Sequence, residues 1–120
     1  MLYSSSTLSL ACLEVLVHIK EPRLPADYGW VENTVPANLM DRPLRTADSA
    51  DEDFCRRFGS GWVLRGRRPV VRVPSAIIPS ESNFLLNAEH SAFPRLSFSE
   101  PEPFRFRSTL AEARAFATMI

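Results

Sequence analysis

Glu14 is the only acid in an otherwise apolar stretch that carries Leu8, Ala11, Cys12, Val15, Leu16 and Ile19. A carboxylate on such a segment must be paired, protonated or open to a cleft. The plainer alternative is that its face simply reaches solvent or meets an arginine. Ser75 ends an apolar run and follows Pro74, which fixes the turn, so its hydroxyl could be presented to a ligand; a turn serine bonding its own backbone is the commoner use. Asn83 and Asn87 flank a second apolar run, where strand-end turn-making competes with ligand contact. His18 lies four residues after Glu14 on the same helix face, either catalytic or structural. Arg65, Arg67, Arg68 and Arg72 offer a phosphate site or a solvated turn. Phosphate-loop, HExxH and GxSxG patterns are absent from the sequence.

These residues need elements to position them. Ser4-Ser5-Ser6-Thr7 supplies N-cap candidates for a helix over about Thr7 to His18. Its apolar positions run nearly all round, which predicts a buried helix. Glu21-Pro22 and Leu24-Pro25 end it. Trp30 to Val35 alternates like a strand, and Pro36 to Ala50 reads as a surface excursion with a turn at Asp41-Arg42-Pro43. Asp51-Glu52-Asp53 starts a second helix. Phe54, Phe58, Trp62 and Leu64 would face inward, with Gly59 and Gly61 interrupting or kinking it. Val70 to Val73, stopped by Pro74, and Asn83 to Asn87 are apolar strands. Phe93 to Phe98 and Phe104 to Arg107 read as closing strands, and a capping box at Thr109–Glu112 starts a terminal helix over 109–120. One buried helix among non-adjacent strands predicts an α+β fold in a single domain over residues 1–120.

Composition narrows the class. The chain is 45% hydrophobic and 23% charged, which is globular usage. Fourteen basic residues balance fourteen acidic ones, so neither direct nucleic-acid nor anionic-membrane binding is expected. Ten prolines against four glycines predict a loop-rich domain with pinned turns. Cys12 and Cys55 make neither a disulfide framework nor a metal site, and read as reduced thiols of a cytoplasmic protein. No secretory signal precedes the first helix, and no apolar run reaches the ~20 residues of a membrane span.

Three stretches together resemble a known family. Leu2-Tyr3-Ser4 leading into Leu8-Ser9-Leu10-Ala11 and Leu13-Glu14-Val15-Leu16-Val17-His18 is similar to the RES-domain pattern of a tyrosine-bearing strand before an "LEVLVH" helix. Val73-Pro74-Ser75-Ala76 with Asn83-Phe84-Leu85-Leu86-Asn87 resembles its "VPSA…NFLLNP" segment, with Ala88 in place of the proline. Phe93 and Pro103-Phe104-Arg105-Phe106 resemble its closing "F…PFRFD". Order and spacing agree over nearly the whole chain.

The family is named for an arginine, a glutamate and a serine. The resemblance assigns the glutamate to Glu14 and the serine to Ser75 as catalytic residues. It matches Tyr3 to the tyrosine lining the nicotinamide pocket, and Asn83 is assigned to NAD binding beside it. It implies a fold like that of ADP-ribosyltransferases, with a mixed sheet, and a toxin that degrades NAD with phosphate or water as acceptor and needs no metal. It also implies a partner antitoxin of the Xre helix-turn-helix type; self-association is left open. Cleaving the nicotinamide–ribose bond develops oxocarbenium-like positive charge that a carboxylate stabilises, while a serine hydroxyl would orient the ribose or a phosphate. The family arginine lies before the tyrosine strand, near a "GGRWN"-like segment, and no arginine here matches it by motif. The expectation is therefore a domain incomplete at its N-terminus, with an open sheet edge and weak activity in isolation. Two other readings stay open: transfer of ADP-ribose to a protein target, and an inactive remnant that only binds the antitoxin.

Overall fold

The computed structural model describes residues 1–18, 28–44 and 52–104, with side chains from residue 57 onward in the last stretch. Two helices and several antiparallel strand pairs make it α+β. Its organising element is a three-stranded sheet in the order β1 (Leu2–Ser5), β5 (Ser82–Leu86), β4 (Val70–Pro74). Pairing is antiparallel throughout: Ser5 faces Asn83 across one ladder, and Val73 faces Asn83 across the other. The central strand Ser-Asn-Phe-Leu-Leu is covered on both faces, with none of its residues exposed. Among the described residues β1 has β5 as its one strand neighbour.

Strand alternation sends Val70, Leu86 and Phe84 to one face of the sheet and Val71, Leu85 and Val73 to the other. The first face packs Leu39 and Leu96, with Val70 and Leu86 essentially inaccessible. The second packs Trp62, with Phe58 and Val63 around it. Trp62 and Phe58 are four residues apart on α2 (Glu52–Arg65), so one helical face closes this core. Gly59 and Gly61 do not interrupt α2. Any side chain at position 59 would meet the Met1 side chain, at 3.1 Å from a Cβ. Leu64, expected inside, is 87% exposed, because it lies half a turn from Trp62. Gly66 ends the helix in the left-handed region (φ 57°), its N–H donating to the Trp62 carbonyl at 3.2 Å. His90 Nδ1 accepts from the Ala92 N–H, so its Nε2–H donates to the Gly66 carbonyl at 2.9 Å and ties the cap to the loop after β5.

α1 (Leu8–His18) starts where the sequence predicts, with Thr7 Oγ1 accepting from the Leu10 N–H at 3.1 Å. It is not the fully buried helix expected: Leu10 is its buried residue, whereas Leu16 and Val17 are exposed. A three-stranded sheet already carrying α2 offers cover to only one stripe of α1. The expected strand at Trp30–Val35 is two short ones, β2 (Tyr28–Trp30) and β3 (Asn33–Thr34), pairing with β7 (Glu102–Phe104) and β6 (Ser97–Phe98). They separate where Glu32 and Ser99 exchange hydrogen bonds instead.

Two further expectations change. The segment after Pro36 is not a surface excursion in its described part. Leu39 is core, and residues 40–44 run extended beside β4 without a turn. A parallel bridge joins Met40 to Val70, and the Asp41 and Leu44 N–H groups donate to the Val70 and Arg72 carbonyls. The sheet is thus antiparallel in its strands and parallel only along this margin. Phe93–Arg95 forms a 3₁₀ turn, not a strand, because Pro94 sits in its first turn and has no N–H for a ladder. Expected features at residues 45–51 and 105–120, including the terminal helix, and the side chains of Phe54 and Cys55, lie outside the described residues.

Candidate functional site

Glu14, Ser75 and Asn83, separated by up to 69 residues in the chain, meet at one point. The Ser75 hydroxyl donates to Glu14 Oε1 at 2.8 Å, and the Asn83 amide Nδ2 donates to the same oxygen at 2.7 Å. Each is there for a local reason. Glu14 is one turn beyond Leu10 on α1, so burying Leu10 turns the carboxylate inward. Pro74 ends β4, and Ser75 enters a loop closed by its N–H donating to the Glu81 carbonyl at 2.9 Å. Asn83 is the second residue of β5, on the same sheet face as Val71 and Leu85.

The serine has no hydroxyl capacity left. Its Oγ accepts from the N–H groups of Ile77 and Ile78, both at 3.1 Å, and its proton goes to Glu14. It is 0% exposed. It therefore combines the turn-bonding role with a grip on the carboxylate. Glu14 is half-buried, and its second oxygen, Oε2, accepts no hydrogen bond from the described residues. Two charge-assisted hydrogen bonds on one oxygen thus orient the carboxylate.

Tyr3 lies on β1 opposite Leu85, on the Asn83 side of the sheet and two residues from Ser5. That is about 7 Å along the strand, and Tyr3 is 73% exposed. An exposed aromatic ring on the same sheet face as Asn83 suits a flat cationic ring. Asn83 is a strand residue, not a strand-end turn. Asn87 is the turn-maker: its Oδ1 accepts from the Glu89 N–H at 3.1 Å. His18 is exposed in the last turn of α1, where positive charge suits the helix end, and it does not bond Glu14.

The arginines lie elsewhere. Arg72 projects from the opposite sheet face and donates from Nε to Ser82 Oγ at 2.8 Å. Arg67 and Arg68 line an open depression with Met40, Asp41 and Arg42 at the far end of β4 from Ser75. Among the described residues no arginine bonds Glu14, Ser75 or Asn83, and no group of three or more His, Cys, Asp or Glu is placed to hold a metal. Nor is any described helix long and apolar enough to cross a membrane. Cys12 is a free thiol in α1, and burial pushes its pKa above the ordinary value.

One participant escapes a reading of residue types. Ser5, which as part of Ser4-Ser5-Ser6-Thr7 looks like a helix cap, belongs to β1 and donates from Oγ to Asn83 Oδ1 at 2.7 Å. Only Thr7 caps the helix. The signal was alternation: Tyr3 and Ser5 share a face, as Asn83 and Leu85 do.

Comparison with known proteins places the chain in a family. A relative from Sphingobium sp. (strain YBL2), named Prs ADP-ribosylating toxin, is 36% identical over 101 residues, covering 73% of this chain and 60% of the relative. A protein named Toxin Res from Photorhabdus laumondii subsp. laumondii is 32% identical over 93 residues, covering 71% of this chain and 58% of its own. Another Toxin Res, from Yersinia enterocolitica serotype O:8, is 30% identical over 112 residues, covering 88% and 74%. The chain spans about six-tenths of the length of the first two. The model of the RES domain matches residues 1–107, and the chain belongs to the RES domain family.

Proposed function

We propose that this chain is a toxin that consumes NAD by breaking the bond between nicotinamide and ribose. The observation that carries the reading is the Glu14 carboxylate, held on one oxygen by Ser75 and Asn83, while its other oxygen accepts no hydrogen bond from the described residues. As the glycosidic bond breaks, its electrons leave with nicotinamide and positive charge grows on the ribose. A fixed carboxylate stabilises that charge without having to reorganise. Tyr3, on the same face, would cover the nicotinamide ring. Ser75 acts by aiming Glu14, because its hydroxyl is already fully engaged.

The acceptor is water or phosphate in this reading. A second reading, transfer of ADP-ribose to a protein, is favoured by the name of the Sphingobium relative, an ADP-ribosylating toxin. A helix-turn-helix antitoxin of the Xre type that blocks the cleft, and a cytoplasmic site of action, complete the proposal.

Incubating the purified chain with NAD, with and without phosphate, and separating the products tests it. Free nicotinamide with ADP-ribose or its phosphorylated form, lost in Glu14→Gln, is the expected result. ADP-ribose bound to protein would favour the second reading. Intact NAD would contradict both.

A further inference from the structure

We propose that Ser5 is a positioning residue for Glu14, acting through Asn83; this rests on reading Glu14 as the catalytic carboxylate. An asparagine amide has two ends of nearly equal shape and opposite polarity, so its hydrogen-bond partners alone decide which end points where. An ionised carboxylate only accepts, so Glu14 requires the Nδ2 end. Asn83 then turns Oδ1 toward β1, where Ser5 Oγ donates to it at 2.7 Å. Register sets this meeting, since Ser5 and Asn83 are direct cross-strand partners.

The result is a chain of donors running one way: Ser5 hydroxyl to Asn83 Oδ1, Asn83 Nδ2 to Glu14 Oε1, with Ser75 donating to the same oxygen from the far side. Without the Ser5 hydroxyl the Oδ1 end loses its donor, and only the bond to Glu14 opposes rotation of the amide. Rotation would set Oδ1 against the carboxylate, lone pair to lone pair. Glu14 would then swing away or be held by Ser75 alone. β1 therefore contributes aim to the carboxylate as well as the exposed Tyr3. Ser5 is only half-buried, so its hydroxyl is not needed to fill the core.

The test uses the purified full chain as wild type, Ser5→Ala and Ser5→Thr, with two readouts. In NAD turnover, Ser5→Ala lowers kcat about tenfold, the worth of roughly one net hydrogen bond in the transition state, and leaves KM unchanged. Ser5→Thr keeps the hydroxyl and restores kcat. In ¹H–¹⁵N spectra the Asn83 side-chain amide shows one protected proton in wild type and in Ser5→Thr, and loses that protection in Ser5→Ala. Wild-type kcat in Ser5→Ala, or Ser5→Thr as impaired as Ser5→Ala, overturns the proposal. If wild type leaves NAD intact, the functional reading fails separately, and the amide spectra still decide: unchanged Asn83 protons in Ser5→Ala sink the positioning role, and their loss of protection upholds it.

Discussion

At the residue scale, the site reduces to how many hydrogen bonds each polar atom can make. The Ser75 hydroxyl makes three, all inside the protein, so removing it strands two amide donors and leaves Glu14 Oε1 to Asn83 alone. Ser75→Ala should lower unfolding free energy by about 1–3 kcal/mol, read from urea denaturation. Loss of activity without loss of stability would mean instead that the hydroxyl serves substrate directly. Cys12 gives a pH prediction. Burial favours its neutral thiol, so the folded protein resists ionising it. Its alkylation by iodoacetamide at neutral pH, followed by peptide mapping, should be slower than for free cysteine. Cys12 therefore contributes its stability in full below the ordinary thiol pKa and loses it as pH rises through the raised one.

Glu14 was legible in the sequence as a misplaced charge, and Ser75 as a turn serine, but neither periodicity nor turn chemistry could join them. They are 61 residues apart, and only the sheet brings α1 over the end of β4. The family resemblance named both and gave no reason for their partnership. The pattern was weakest where a polar residue has two local uses. Ser5 looked like a cap and is a strand residue; Asn83 looked like a strand-end turn and sits in the strand.

At the element scale, each helix is set by one end. Thr7 caps α1, the element that carries Glu14, and Thr7→Ala should cost about 1 kcal/mol. Gly66 ends α2 at positive φ, where a Cβ is strained, so Gly66→Ala should cost about 1–2 kcal/mol in the same assay. A neutral result for Gly66→Ala would contradict the cap. Strand boundaries were the less readable part of the sequence. The alternating Trp30–Val35 run split in two because its middle bonds to Ser99, and the Phe93 run curled because of Pro94. Each depends on a partner or ring constraint that hydrophobic alternation does not encode.

At the scale of the whole molecule, the two cores share one thin sheet. Leu85 fills the core beneath α2, and its neighbour Leu86 fills the other, so β5 supports both. Leu85→Ala should cost about 2–5 kcal/mol. In native-state hydrogen exchange, β5 amides should be the last to open and the β1 amides, paired with one strand neighbour among the described residues, earlier. Trp62 also stitches the margin to α2, donating from Nε1 to Asp41 Oδ2 at 3.0 Å. The α+β class and the positions of β4 and β5 followed from sequence alone. The uncovered stripe of α1 did not, because cover depends on how many strands lie beneath it.

The central claim is that Glu14 turns this fold into a consumer of NAD. NAD concentration over time, in cells induced to express the chain beside a Glu14→Ala control, tests it most directly. A fall in NAD that the substitution abolishes is the predicted result; NAD that stays level in both would contradict the account.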